Sequence, residues 1–246
     1  MTTRSTTSRR GKAPDPILTP RLLFHQSEPY TDNVDVDVEG HWNTDQFTRY
    51  SVEVQLVSPD DSTTVRIGHV LMFSVGLVDD CAWEMAEYYS ISLTHMVEFF
   101  IDDPLSDEWG WINDGMEKSL SMGGGWATSG FILERVRIEP KWRGQGWGRW
   151  AVANVIQRLT SRGEPVIVLP APPEFPGRPN SDPPTARWAG YEHARARITA
   201  NYRRIGFRNY VRQAMLLDTG SDIAAAKLIR AAGIHGEADL QWVDAD

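Results

Sequence analysis

The 246-residue chain has a single cysteine, Cys81, so no internal disulfide can form and a reducing, cytoplasmic location is expected. No activating partner for it can be identified, so Cys81 reads as a small buried apolar residue rather than a nucleophile. Long apolar runs are also missing. The longest, Val70 to Val78, is broken by Ser74, against the roughly 18 apolar residues a membrane-crossing helix needs, so no membrane partner is expected. Basic residues near the N-terminus have no apolar stretch behind them, which argues against a signal peptide. An excess of basic charge is absent as well. Lys and Arg number 25 against 33 Asp and Glu, and the net charge of −8 argues against nucleic acid as the main partner. The six histidines show no metal-ligand spacing, so no metal site is expected. Asp35, Asp37 and Glu39 imitate the start of a calcium loop, but its twelfth position is Gln46 instead of a bidentate glutamate. Neither a G-x-S-x-G elbow nor a Gly-Lys-Ser/Thr phosphate loop occurs, which leaves a serine hydrolase and a Walker-type site unsupported.

What is present is unevenly spread. Residues 1–12 carry Arg4, Arg9, Arg10 and Lys12 and no acid, so the rest of the chain stands at −12. Within that acidic remainder, Thr185 to Arg212 holds seven arginines and one acid, Glu192. Such an island reads either as a site for a small anion or as a solvated helix face. Residues 1–16 have the composition of a disordered tail, 17–235 that of one folded domain, and 236–246 that of a flexible polar tail.

Periodicity supplies the elements. Val34–Glu39 alternates like a short strand, and Ser51–Ser58 and Val65–Val78 flank turn chemistry, Pro-Asp-Asp-Ser, as a β-hairpin. Helical spacing runs over Ala82–Ile101 and Trp109–Leu120, a strand over Phe131–Ile138, a helix over Trp147–Thr160 and a strand over Pro165–Leu169. From Pro170 to Pro184 seven of fifteen residues are proline, which predicts an extended loop, either a lid or wall of a site or a disordered segment. A helix over Ala186–Ile205, a strand over Phe207–Leu217 and a helix over Ile223–Ala232 complete the chain.

The strongest chemical signal is Arg135 to Ile156, where a strand runs through Pro140 into a glycine-rich turn that opens directly into a helix. Several backbone N–H groups then converge at a positive helix end, which is a place for phosphate. Gly144, Gly146 and Gly148 let backbone approach a ligand, and Arg143 adds a bidentate donor. The dinucleotide fingerprint G-x-G-x-x-G fails, because Arg149 stands at its last glycine and the next strand ends without an acid.

Arg143, Gly146 and Gly148 match R/Q-x-x-G-x-G/A after Ile138-Glu139-Pro140, and Tyr202 to Phe207 reads Tyr-x-x-x-Gly-Phe at the end of a later helix. In both features the chain resembles the GNAT superfamily of acyl-CoA-dependent N-acyltransferases. The resemblance is firm over Ile132–Leu217 and weak over residues 17–120. It implies an α/β fold with a mixed, largely antiparallel twisted sheet flanked by helices, and acetyl-CoA as co-substrate. It further implies that the strand backbone at Val136, Arg137 and Ile138 pairs with the pantetheine arm, and that Arg143, Gly144, Gln145, Gly146, Trp147 and Gly148 hold the pyrophosphate. Tyr202 would protonate the departing thiolate, unless it is a core tyrosine packing at a helix end. Glu134 shares a strand face with Val136 and Ile138 and is the candidate general base, unless it is a surface or salt-bridged glutamate; Glu139 and Glu84 are further candidates. Arg149 or arginines between Arg195 and Arg208 are candidates for the ribose phosphate. Many members carry asparagine where Arg195 stands. The expected activity is acyl transfer to a primary amine of a small molecule or protein, with a non-catalytic CoA-binding module as the alternative and a homodimer left open.

Overall fold

The computed structural model of the chain describes residues 18–27, 47–77, 86–87, 90–100, 114–121, 128–161, 163–172 and 186–243. The expected tail at 1–16, the Val34–Glu39 strand, the calcium-like segment, Cys81, Glu84 and most of the proline-rich loop lie outside the described residues.

Eight strands form one mixed sheet: β1 (Thr19–Ser27), β2 (Phe47–Val57), β3 (Thr64–Gly76), β4 (Ser129–Ile138), β5 (Pro165–Val168), β6 (Arg208–Asn209), β7 (Met215–Asp218) and β8 (Asp239–Val243). Their order is β6-β7-β5-β4-β3-β2-β1-β8. Only β4 with β5 and β1 with β8 run parallel; the remaining neighbours are antiparallel. The expected mixed, largely antiparallel sheet flanked by helices is therefore the observed architecture. Five helices accompany it among the described residues: α1 (Ile91–Val97), α2 (Asp114–Glu117), α3 (Trp147–Leu159), α4 (Ala186–Arg204) and α5 (Asp222–Ala232).

Strand alternation divides the apolar residues between two cores. Val70, Met72, Phe131, Leu133, Val166, Val168, Met215 and Leu217 point to one face, with Trp150, Ala151 and Val155 of α3 and Leu228 of α5. Leu71, Phe73, Ile132, Ile167 and Leu216 point to the other, with Leu93, Met96 and Val97 of α1 and Met116 of α2. Central strands covered on both faces must be apolar at every position, which is why β5 reads Pro-Val-Ile-Val and β7 begins Met-Leu-Leu.

Several elements differ from the sequence reading. Of the helix expected over Ala82–Ile101, the described residues show helical Ala86–Glu87 and, after a break at Ser90, α1, capped by Ser90 Oγ, which accepts from the Leu93 N–H at 3.2 Å. It stops at Glu98 because Phe99 and Phe100 turn into the second core, their N–H groups donating to Met96 and Val97 carbonyls. Of the expected Trp109–Leu120 helix, the described part is the single turn of α2. The expected Phe207–Leu217 strand is a tight β6–β7 hairpin, closed by Tyr210 N–H to Ala214 O and Ala214 N–H to Val211 O, both 2.9 Å. Its tip carries Arg212 at φ 49° and Gln213 at φ 78°, left-handed positions that turn sequences usually mark with glycine or asparagine.

The expected flexible tail at 236–246 contains β8, which adds a parallel edge strand to β1 from Arg21↔Asp239 to His25↔Val243. Arg21 secures it, its Nε donating to Asp239 Oδ2 at 2.6 Å and its Nη2 to Asp61 of the β2–β3 turn at 2.8 Å. Trp242 lies 4.9 Å from the fully buried Phe24 ring, with the Arg158 guanidinium 5.8 Å from the Trp242 ring. Composition hides this strand because all five of its residues face solvent at least in part and its anchor is a single aromatic. Trp242→Ala is expected to cost about 2–3 kcal/mol, lowering the thermal midpoint by roughly 4–12 °C. An unchanged melting curve would show that β8 adds nothing to the fold.

Candidate functional site

The site begins where β4 and β5 part. Their parallel pairing covers Phe131↔Val166, Ile132↔Ile167 and Leu133↔Val168 and stops there. Against β3 the register steps from Met72↔Leu133 to Leu71↔Arg135, so Glu134 is the extra residue of a β-bulge. A bulge bends its strand and strengthens the twist, and here it falls at the last residue that β5 can reach. β4 runs on to Ile138 with no partner on its β5 side among the described residues.

The chemistry offered by that edge follows from alternation. The Glu139 N–H donates to Ile67 O of β3 at 2.8 Å, so the backbone of Arg137 also faces β3. Val136 and Ile138 then present their N–H and C=O groups to the open edge. One is in use: Ile138 O accepts from Arg143 Nε at 2.8 Å. Val136 and Ile138 thus fit the role expected of an added-strand partner. The Arg137 backbone does not, and its exposed side chain is what it presents.

The glycine turn lies against the same two residues. A short 3-10 turn, Pro140–Trp142, leads to Gly144 at φ 80° and Gly146 at φ 94°, and Gly146 caps α3 with no side-chain hydrogen bond. Both positive φ values account for glycine at these positions. Gly148 is different. A Cβ there would sit 3.6 Å from Ile138 Cγ1 and 3.9 Å from Val136 Cγ1, in ordinary contact, so the first turn of α3 packs directly on the open strand. The N–H groups of Trp147 and Gly148 have no intrahelical partner, and no acid stands in the first turn.

Charge and buried polar atoms favour an anion here. Arg143 borders the turn and Arg149 lies in the first helical turn, where the helix dipole disfavours a cation by about 0.3–1 kcal/mol unless an anion joins it. Among the described residues, the buried side-chain nitrogens without a partner are Trp142 Nε1, Trp147 Nε1 and His235 Nε2, all at this turn. The two indole N–H groups can only donate, and each left unmade costs about 1–3 kcal/mol, so they mark a place where acceptors are missing; the His235 nitrogen is donor or acceptor according to its tautomer. These features fit a diphosphate.

Tyr202 has a structural role that its motif already encodes. Gly206, at φ 115°, receives the chain end of α4, with Phe207 N–H donating to Tyr202 O at 3.2 Å and Gly206 N–H to Arg203 O at 3.3 Å. That is a Schellman cap, completed by the Tyr202 and Phe207 rings at 5.3 Å. Tyr202 packs against the same core as Val136, Ile138 and Trp142. Burial raises its phenol above the ordinary tyrosine value, so it keeps its proton at neutral pH. Glu134, its side chain 20% exposed, pairs with Arg135 Nη2 at 3.3 Å. Glu139 precedes the 3-10 turn and is half-buried.

Three arginines of the island have partners outside the glycine turn. Arg195 is held by Glu192 at 3.0 Å, Arg203 donates to Asn209 at 3.0 Å, and Arg212 lies 3.9 Å from Glu98. Arg195, Thr199, Arg203, Tyr210 and Gln213 line a separate cleft of about 410 Å³ between α4 and the β6–β7 tip. Sequence reading missed His235, which stacks on Trp147 with ring centroids 3.6 Å apart. Its only signal was to be one of six histidines, at the last position of the expected folded domain.

Among the described residues no group of three or more His, Cys, Asp or Glu is placed to hold a metal, and no helix is long and apolar enough to cross a membrane. No known family's sequence profile matches the chain, and no curated protein is similar to it. Among solved structures, a crystal structure of a tyrosine-to-phenylalanine mutant of KacT is similar over 71% of this chain and 72% of that one, at 14% identity and a TM-score of 0.32. A likeness of that degree carries nothing about activity.

Two expectations follow. Gly206→Ala forces a side chain into a left-handed position, 2.9 Å from Leu217 Cδ1 and 3.2 Å from the Ala224 backbone. It should cost about 2 kcal/mol or more, read as a fall in thermal midpoint of roughly 4–8 °C. His69 and His235 are both held below the ordinary histidine value of 6.5, chiefly by burial, with the cations Arg66 and Arg49 adding at His69 and Arg149 at His235. The unfolded chain therefore binds protons first as pH falls. The stability these neutral rings contribute is complete above pH 6.5 and declines as pH drops from there towards their folded values. A double variant with glutamine at both positions should show a shallower loss of thermal midpoint between pH 7.5 and 5.5; an identical slope would refute the assignment.

Proposed function

We propose that the chain is an N-acyltransferase of the GNAT type, which transfers an acetyl or other short acyl group from acetyl-CoA to a primary amine by direct attack in a ternary complex. One observation carries this reading: Val136 and Ile138, whose backbone edge has no strand partner on the β5 side among the described residues, place their side chains 3.9 and 3.6 Å from where a Gly148 Cβ would stand, in the first turn of α3, whose N-terminus is acid-free and has no side-chain cap. An amide-bearing chain that ends in a diphosphate is matched by those two surfaces side by side. The Val136 and Ile138 edge would hold the pantetheine amides, and Arg143 with the N–H groups of Trp147 and Gly148 would hold the diphosphate. Acetyl-CoA supplies the thioester.

The residues then divide the work of acyl transfer. Glu134 takes a proton from the incoming ammonium, directly or through water, and frees the nitrogen lone pair. The nitrogen attacks the thioester carbonyl carbon, and a backbone N–H of the open edge stabilises the oxygen that becomes negative. As the carbon–sulfur bond breaks, Tyr202 gives its phenolic proton to the thiolate and regains one as the nitrogen sheds its second proton, while the proton held by Glu134 passes to water. Amide and free thiol are the products. The acidic body, −12 outside residues 1–12, favours a cationic acceptor, whose apparent affinity should weaken with ionic strength.

Titration calorimetry with acetyl-CoA tests the reading, and absence of binding by folded protein at millimolar cofactor would sink it. Binding without thiol release across peptides, polyamines and aminoglycosides would favour a non-catalytic CoA-binding module instead. Tyr202→Phe keeps the ring against Phe207 and removes only the hydroxyl. Turnover should fall about a hundredfold or more with cofactor affinity unchanged; an unaltered rate would remove Tyr202 from the chemistry.

A further inference from the structure

The glycine turn is held from outside its own motif. Gly146 has no capping side chain, and two left-handed glycines within three residues leave the turn free to sample other conformations. What restrains it is the segment between α5 and β8. Ile234 Cγ2 lies 3.3 Å and His235 Nε2 3.5 Å from where a Gly146 Cβ would stand. The His235 ring stacks on Trp147 with an interplanar angle of 15° and meets Trp150 edge-on. Trp150 Nε1 donates to Gly236 O at 3.1 Å, and Asn154 Nδ2 to Ala232 O at 3.4 Å. The segment is itself tethered at both ends, by α5 on the α3 side of the sheet and by β8 along β1.

We propose that Ile234–His235–Gly236 is a strap that positions the anion site: His235 holds the Gln145–Gly146 turn and the Trp147 ring in the conformation that receives the diphosphate. This rests on the CoA reading above. His235 is a positioning residue, acting through the turn, and binding gains because the turn need not be ordered when the ligand arrives. The strap also makes the last quarter of the described chain part of the site. Loosening β8 or α5 should weaken anion binding although neither carries a ligand contact.

The test compares wild type with His235→Ala and His235→Phe, the second keeping an aromatic ring on Trp147 without the imidazole nitrogens. Affinity for CoA and for inorganic pyrophosphate is measured by calorimetry, and amide exchange of Gln145 to Arg149 by mass spectrometry. His235→Ala should weaken both ligands about tenfold or more and speed exchange across the turn, with His235→Phe recovering part of each. Unchanged affinity and unchanged exchange in folded His235→Ala would overturn the proposal. If wild type binds pyrophosphate but not CoA, the acyltransferase reading fails and the strap is judged on pyrophosphate. If it binds neither, no anion site exists for the strap to position and the proposal falls with the reading. Should His235→Ala not fold, Ile234→Ala in the same measurements decides.

Discussion

The structure turns on the parting of two parallel strands. β4 and β5 share three residue pairs and then separate, and the bulge at Glu134 lies at the point of separation. A continuous pair would satisfy every backbone group and leave nothing for a ligand. An isolated β4 end would have no reason to stay extended. β3 holds one side of it through Arg135, Val136, Arg137 and Ile138, so the other side remains both ordered and open. The first turn of α3 is then seated on the side chains of the same residues, which brings a helix N-terminus to the open edge.

Helix ends do much of the placing. The N-terminus of α3 is left uncapped by side chains, acid-free and flanked by arginines, an arrangement that costs stability without an anion. The C-terminus of α4 is fully terminated, with Gly206 and Phe207 closing a Schellman cap over Tyr202. The contrast separates two motifs that look alike in sequence. Glycines at 144 and 146 meet a backbone requirement and leave groups unsatisfied, whereas Gly206 satisfies its helix and packs against Ala224 and Leu217. Tyr202 therefore has a reason to be an aromatic before any chemistry is asked of its hydroxyl.

Elements with strong local signals were legible in the sequence. α3, β4, β5 and α5 lie where periodicity and turn residues put them, because amphipathic spacing and β-branched runs are local properties. Elements held by a single distant partner were not. β8 depends on Trp242 meeting Phe24 and on Arg21 reaching Asp239, contacts between chain ends that no window of sequence contains. The β6–β7 turn carries Arg212 and Gln213 in left-handed conformations that composition does not announce. α1 ends at Val97, before its apolar pattern does, because Phe99 and Phe100 turn into the second core.

For the site, the sequence by itself determined the turn chemistry. Glycines at 144, 146 and 148 with Arg143 specify a strand-to-helix turn able to meet phosphate, since positive φ and free N–H groups are properties of adjacent residues. It also marked Tyr202 and Glu134 by their motif and strand position. Only the tertiary structure decided which backbone groups are available, because that depends on where β5 stops and which side β3 occupies: Val136 and Ile138 face outward and Arg137 inward. The same holds for Arg195, Arg203 and Arg212 of the arginine island, which meet Glu192, Asn209 and Glu98, and for His235, placed against the turn by a strand whose partner lies at the other end of the chain. Local geometry is written in neighbouring residues; exposure of a backbone edge is set by what the rest of the chain leaves uncovered.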